Sequence, residues 1–219
     1  MSEPTGQPAV GYNAAMEEIL DAATRVFAER GFDGSSVDDI ADAMGATKGR
    51  IYHYWRGKDA LLAAVMQRGL ERGLAAIEPI AHDTTLAEFE RLERLVWVHM
   101  AWVVKDPDIQ KVLLHSVDVL ARRRAPQREY AESINALRRR YEQQFIRLIE
   151  AGQRNGTVAG SDPRLTARGL LGTMNWTAVW HRPARDPQVR AAEDAHTIHE
   201  LSSFAIRGLK VGNTSSPSH

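Results

Sequence analysis

Apolar residues recur at helical spacing along almost the whole chain, and nowhere do they alternate with the period of two that a half-buried strand requires. Ile19, Ala22, Ala23, Val26 and Phe27 fall at i, i+3, i+4, i+7 and i+8, one stripe of a helix that stops at Gly31. Ser36 stands where an N-cap is needed, and Asp39 three residues later imitates a capping box. Val37, Ile40, Ala41 and Met44 then form a short apolar face closed by Gly45. Thr47 is the next N-cap, with Ile51 and Trp55 as the next apolar pair. A longer helix follows from about Lys58, carrying Leu61, Leu62, Val65, Met66 and Leu70 on its inner face. Beyond it the pattern predicts helices over residues 85–104, 107–123, 127–155, 163–182 and 187–210. Pro163 opens one of them at its first turn, and Gly156 and Pro183 act as stops. The expected fold is all-α. It comprises an arm over residues 1–14, three short-range helices over 15–57, a connecting helix over 58–80, a larger helical domain over 81–211 and a tail over 212–219.

Composition narrows the classes. A chain of 219 residues with 43% hydrophobic positions can bury a substantial core. With no cysteine, disulfide scaffolds, thiolate metal sites and cysteine nucleophiles are excluded. No apolar run approaches the ~18 residues that span a bilayer, and the N-terminus lacks the layout of a signal peptide. A cytoplasmic protein without membrane association is therefore expected. The formal net charge is zero, so any contact with a polyanion must come from a local patch.

Such a patch exists. Residues 45–61, GATKGRIYHYWRGKDAL, place Lys48, Arg50, Arg56 and Lys58 together with no acid before Asp59. Two short helices joined by a turn at Gly45 have the layout of a DNA-binding helix-turn-helix. The first carries Asp38, Asp39 and Asp42, which repel phosphate; the second has no acid and presents Thr47, Lys48, Arg50, Tyr52 and His53 opposite Ile51 and Trp55. Arginine can bond both acceptors of a guanine edge, which makes Arg50 the expected base reader. Lys48, Tyr52, His53 and Lys58 suit phosphate contacts, Ser36 offers a hydroxyl, and Gly49 permits close approach to the backbone. Cations on a short helix can also be a solvated surface, and the tyrosines can be core.

The stretch SSVDDIADAMGATKGRIYHYWRGKDALLAAVM, preceded by ILDAATRVFAERGFDG, resembles the N-terminal domain of the TetR family of bacterial repressors from about Ile19 to Met66. Trp55 stands where that family usually has phenylalanine, and Arg50 where a small residue is common. The arm before Ile19 lacks the basic residues that many members carry. The resemblance implies a homodimer that binds a double-stranded, pseudo-palindromic operator, with DNA contacts at Ser36, Thr47, Lys48, Gly49, Arg50, Tyr52, His53 and Lys58. It also implies that the C-terminal helices bind a small-molecule effector and that the helices after about Pro163 form the dimer.

On the residues alone, Trp97, Met100, Val103 and Val104, then Leu113, Leu114 and Val117, then Leu137, Tyr141, Phe145 and Leu148 form stripes that can line a pocket or fill a core. The segment GLLGTMNWTAVWHRP (169–183), with Asn175, Trp176, Trp180, Arg182 and Pro183, resembles a signature of TetR-type regulators that sense acyl-coenzyme A thioesters; His181 replaces the usual tyrosine. That resemblance implies Arg182 on coenzyme A phosphates and a tryptophan on adenine. The expected effector residues are Trp97, Met100, Val104, Leu113, Tyr141, Phe145, Asn175, Trp176, Trp180 and Arg182. Three alternatives stay open: the tryptophans are dimer packing, the effector is an uncharged or cationic hydrophobic compound, or the chain is a helical interaction module without a DNA role. The arginine runs at 122–124 and 138–140 are read as solvated. No cofactor is expected. His196 and His199, beside Asp194 and Glu200, are read as surface or interface residues rather than metal ligands, and with no catalytic motif elsewhere the chain is not expected to be an enzyme.

Overall fold

The computed structural model describes residues 9–116 and 127–211. Ten helices are described: α1 (Ala9–Arg30), α2 (Val37–Ala43), α3 (Lys48–Tyr52), α4 (Lys58–Ala81), α5 (Glu88–Lys105), α6 (Pro107–His115), α7 (Gln127–Arg154), α8 (Pro163–Asn175), α9 (Thr177–Trp180) and α10 (Pro187–Leu209). Among the described residues there is no strand, only an isolated bridge between Val158 and Lys210. The all-α expectation holds.

The chain divides into two units, with breaks after Gly69, Gln110 and Asn135. In the first, α2 packs on α1 and on α3. Its interior is the predicted one: Ile19, Ala22, Ala23, Val26 and Phe27 from α1, Ile40 from α2, Ile51 and Trp55 at α3, and Leu61, Leu62, Val65 and Met66 from α4 are all buried. Each such Val, Leu, Ile, Phe or Met side chain contributes about 1.5–3 kcal/mol relative to exposure. The local signals also act as expected. Ser36 accepts from the Asp39 amide at 3.0 Å while the Ser36 amide donates to Asp39 Oδ2 at 2.8 Å, a complete capping box. Gly45 has φ +61°, a backbone state that L side chains rarely adopt, so a side chain there would strain the helix-turn-helix turn.

In the second unit α5 runs through the middle, contacting α8, α9 and α10. Leu92, Leu95, Val96, Met100, Val103 and Val104 from α5 join Tyr141, Phe145 and Ile149 from α7 and Met174 and Ala178 from the α8–α9 region in one core.

Three expectations on element bounds change, and a fourth is described only in part. α1 begins at Ala9, inside the expected arm, because nothing after Pro8 except Gly11 opposes helix formation; residues 1–8 and the tail 212–219 lie outside the described residues. The helix expected over 85–104 runs from Glu88 to Lys105, because Asp83 turns the chain by accepting from the Thr85 amide and hydroxyl. The helix expected over 107–123 is described only as far as His115, and residues 117–126, with Val117 and Arg122–Arg124, lie outside the described residues. The helix expected over 163–182 is interrupted at Trp176. Its last turns contain Gly169 and Gly172, both poor helix formers, and the Thr173 hydroxyl donates to the Gly169 carbonyl at 2.8 Å, a back-bond that bends helices.

Candidate functional site

The expected DNA-reading residues lie on and around α3. Ile51 and Trp55 are buried, whereas Lys48, Gly49, Tyr52 and His53 are exposed on the rest of the helix and its end. Thr47 occupies the N-cap position in extended conformation, but its side chain makes no capping bond, so its hydroxyl is not held by the helix. An added Cβ at Gly49 would meet Thr47 Oγ1 at only 3.7 Å, so nothing within the protein demands glycine there. Lys48 pairs with Asp38 at 3.4 Å across the turn, an exposed contact of small energetic weight.

Arg50 is only partly exposed, and its Nη2 donates to Glu18 Oε2 of α1 at 2.5 Å. The guanidinium keeps further N–H groups for another acceptor, so Glu18 orients it without exhausting its donors. Ser36 is exposed, but its hydroxyl donates to Asp39 Oδ2 at 2.6 Å. Those bonds, with Arg30 beside them, hold the Asp39 carboxyl below its usual range.

Lys58 has partners within the chain. Its Nζ donates to the carbonyls of Phe32 and Ser35, each at 2.6 Å, and lies 4.3 Å from the centroid of the Phe32 ring. It clamps the loop between α1 and α2. Lys58→Met is expected to lower unfolding free energy by about 2 kcal/mol, the usual cost of losing charge-assisted hydrogen bonds, and to leave the salt dependence of operator binding unchanged. Denaturant unfolding and operator titrations at several salt concentrations check this. Unaltered stability with a salt slope smaller by about one would make Lys58 a phosphate contact instead.

The expected effector residues separate into three groups. Leu113 falls in the first unit, apart from the others in the chain's division. Met100, Val104, Tyr141 and Phe145 are buried core, 6% exposed or less. They surround His99, whose Nδ1 is 2.9 Å from the Tyr141 hydroxyl and whose ring lies against Trp102 and Phe145. Burial pushes the His99 pKa down to about 4, only partly offset by the nearby Asn175 side chain, and pushes the Tyr141 phenol up. His99 Nε2 is buried without a well-formed hydrogen bond, so Asn175 lies close to it but not in bonding geometry. Trp176 and Trp180, by contrast, are 61% and 51% exposed. Arg182 is exposed and, among the described residues, donates to the neighbouring His181 carbonyl at 3.0 Å. His181 itself is buried, with Nε2 2.8 Å from Asp194 Oδ1 of α10.

Two features were not anticipated. Leu165, Gly169, Gly172 and Trp176 follow one another at i, i+4, i+7 and i+11 along α8 and its end, all exposed. Their spacing was readable, but not their exposure. The second is a groove of about 700 Å³ between α5 and α10, which of the expected residues takes in only Trp97. Of the arginines read as solvated, Arg140 in fact holds Glu78 through two bonds of 2.6 and 2.7 Å. Among the described residues no group of three or more His, Asp or Glu side chains converges as a metal site, and no helix is long and apolar enough to cross a membrane.

A helix-turn-helix with one polar, cation-bearing helix exposed, joined to a larger helical unit, defines a class of DNA-binding regulators. Residues 19–65 match the family described as bacterial regulatory proteins, tetR family, and residues 85–195 match the tetracyclin repressor-like C-terminal domain. The chain belongs to the TetR family and is a DNA-binding transcriptional regulator of that family. It is 27% identical over 185 residues to the HTH-type transcriptional repressor KstR2 of Rhodococcus jostii (strain RHA1), covering 84% of this chain and 87% of that protein. The structure of the ketosteroid transcriptional regulator KstR2 of Mycobacterium tuberculosis shares the fold with a TM-score of 0.75 at 20% identity, over 96% of this chain and 100% of that one. AibR, solved in complex with isovaleryl coenzyme A and operator DNA, shares it with a TM-score of 0.70 at 22% identity, over 87% of this chain and 97% of that one.

Proposed function

We propose that this chain is a repressor that binds a pseudo-palindromic operator as a homodimer and is released by an acyl-coenzyme A thioester. Residues 15–57 read DNA, residues 58–80 connect, and residues 81–211 dimerise and sense the effector. The observation that carries the DNA half is the division of α3, with Ile51 buried beneath and Lys48, Tyr52 and His53 exposed above. Arg50, oriented by Glu18, reads a base edge; Lys48, Tyr52 and His53 hold phosphates.

Dimerisation uses the α8 stripe together with Val189 and Phe204, which are exposed on α10. Large exposed apolar side chains gathered on two helices mark an interaction surface. A palindromic operator requires a second copy of the same chain in a two-fold arrangement. The thioester half of the proposal draws on the Asn175–Pro183 segment and on AibR, whose structure contains isovaleryl coenzyme A. Effector and operator then oppose each other through a coupling of about 1–3 kcal/mol, felt equally by both ligands.

The test is a panel of acyl-CoA thioesters, matched free acids and coenzyme A, followed by thermal shift and by operator gel shift. A thioester at about 100 times its dissociation constant is expected to stabilise the protein by about 2.7 kcal/mol and to release operator DNA. Release by an uncharged or cationic hydrophobic compound, with every thioester inert, refutes the thioester and leaves the repressor.

A further inference from the structure

The groove between α5 and α10 has a built polarity. Lys105, the last residue of α5, shares it with Pro187, the first of α10, whereas the Trp97 ring, about two turns earlier in α5, lies 5.6 Å from that of His199, halfway along α10. The two helices therefore run antiparallel. One end of the groove carries Lys105 and Arg190, and the other ends at Trp97 and Ile198. From Trp97 to Lys105 the helical rise gives a length of about 12 Å. Ala101, Ala191 and Ala195 form the trough between, because methyl side chains leave room where two helices would otherwise interlock. The volume of about 700 Å³ lies within the ~300–1,000 Å³ usual for small-molecule sites.

The charges are poised for an anion. Lys105 is exposed and makes no ion pair among the described residues. Arg190 donates through Nε to the Ala184 carbonyl at 2.9 Å, which positions the guanidinium and leaves its terminal nitrogens available. Asp194, the acid lining the groove, is engaged by His181 Nε2.

We infer that this groove binds a hydrophobic anion, with the apolar body along the alanine trough against Trp97 and the anionic group between Lys105 and Arg190. The body is a medium-length acyl chain or a small fused-ring skeleton ending in a carboxylate, or the pantetheine arm of a thioester whose phosphates meet the cations. The inference rests on the proposal that the effector is of this class, but it names a place for it. That place is outside the core that includes Met100, Val104, Tyr141 and Phe145, whose side chains are buried.

The test is calorimetric titration of the full-length protein with octanoate, octanoyl-CoA, coenzyme A and octan-1-ol, alongside Ala195→Trp and Lys105→Glu. Both variants change exposed positions, so the fold is expected to survive, and circular dichroism checks it. Ala195→Trp is expected to weaken binding of the charged octanoyl probes about tenfold or more by filling the trough. Lys105→Glu is expected to weaken octanoate and octanoyl-CoA but not octan-1-ol. Binding of octanoate places a carboxylate at the cationic end; binding of the thioester alone places phosphates there. Wild-type affinity in both variants overturns the groove even where thioesters still release the operator. Equal binding of octan-1-ol, indifferent to Lys105→Glu, overturns the anion. A failure of every probe to bind overturns both, and dissociation of a dimer by Ala195→Trp without any loss of ligand shows that a second copy occupies the groove instead.

Discussion

Gly172→Arg is expected to leave the monomer folded and to lower operator affinity by about 10²–10⁴-fold, the range lost when two linked binding events become one. Gly172 is exposed on α8, and a Cβ built there meets nothing within 4 Å. Nothing in the subunit therefore resists a side chain, and replacing glycine within a helix favours helix formation by up to about 1 kcal/mol. In the proposed dimer the situation reverses. Gly169 and Gly172 let a partner helix approach between Leu165 and Trp176, so a long charged side chain at 172 separates the surfaces and buries a cation against apolar groups. Gly172→Ala serves as the control, since one methyl group keeps the approach nearly as close. Sedimentation equilibrium and operator gel shifts read the two variants. A Gly172→Arg protein that still sediments as a dimer and binds operator within about threefold of wild type would falsify this interface.

What the sequence made legible follows the range of the forces involved. The capping box at Ser36 and Asp39, the left-handed turn at Gly45 and the stop at Gly31 are decided within a few residues, so α2 and α3 could be placed from local chemistry. The buried side of α3 followed from Ile51 and Trp55 at i, i+4. The intramolecular partners of Lys58 were not legible, because its acceptors, the Phe32 and Ser35 carbonyls, are more than twenty positions away in the chain, and a lysine beside cations reads as a phosphate contact. The same limit applies to Arg50, since nothing in the recognition segment announces Glu18 as its partner. Met100, Tyr141 and Phe145 show the converse difficulty. Periodicity finds an inward face, but a filled core and a lined cavity have the same period. The α5–α10 groove arises from three alanines on two helices far apart in sequence, and small residues carry no signal until their helices are paired.

The stability of wild type is expected to fall by about 3 kcal/mol more than that of His99→Gln as the pH is lowered from 7 to 4. His99 is 2% exposed within the aromatic shell of Trp102, Tyr141 and Phe145, and burial lowers its pKa from 6.5 to about 4. Above pH 6.5 the imidazole is neutral in both folded and unfolded chains and has no pH-dependent effect. Between 6.5 and about 4 the unfolded chain takes up the proton and the folded one does not, so stability is lost as the pH falls. Below about 4 both forms are protonated and the loss levels off. Tyr141, whose phenol stays protonated, can donate to Nδ1, which puts the ring proton on Nε2 towards Asn175 and leaves neither nitrogen with a carboxylate to stabilise a charge. Glutamine keeps an acceptor for the Tyr141 hydroxyl but has nothing to titrate. Urea unfolding of both proteins across this range, at one protein concentration, isolates His99 because the other titrating groups are common to both. A difference between the two curves that stays constant with pH would mean that the folded interior accommodates the imidazolium, and that the Asn175 side chain turns to receive it.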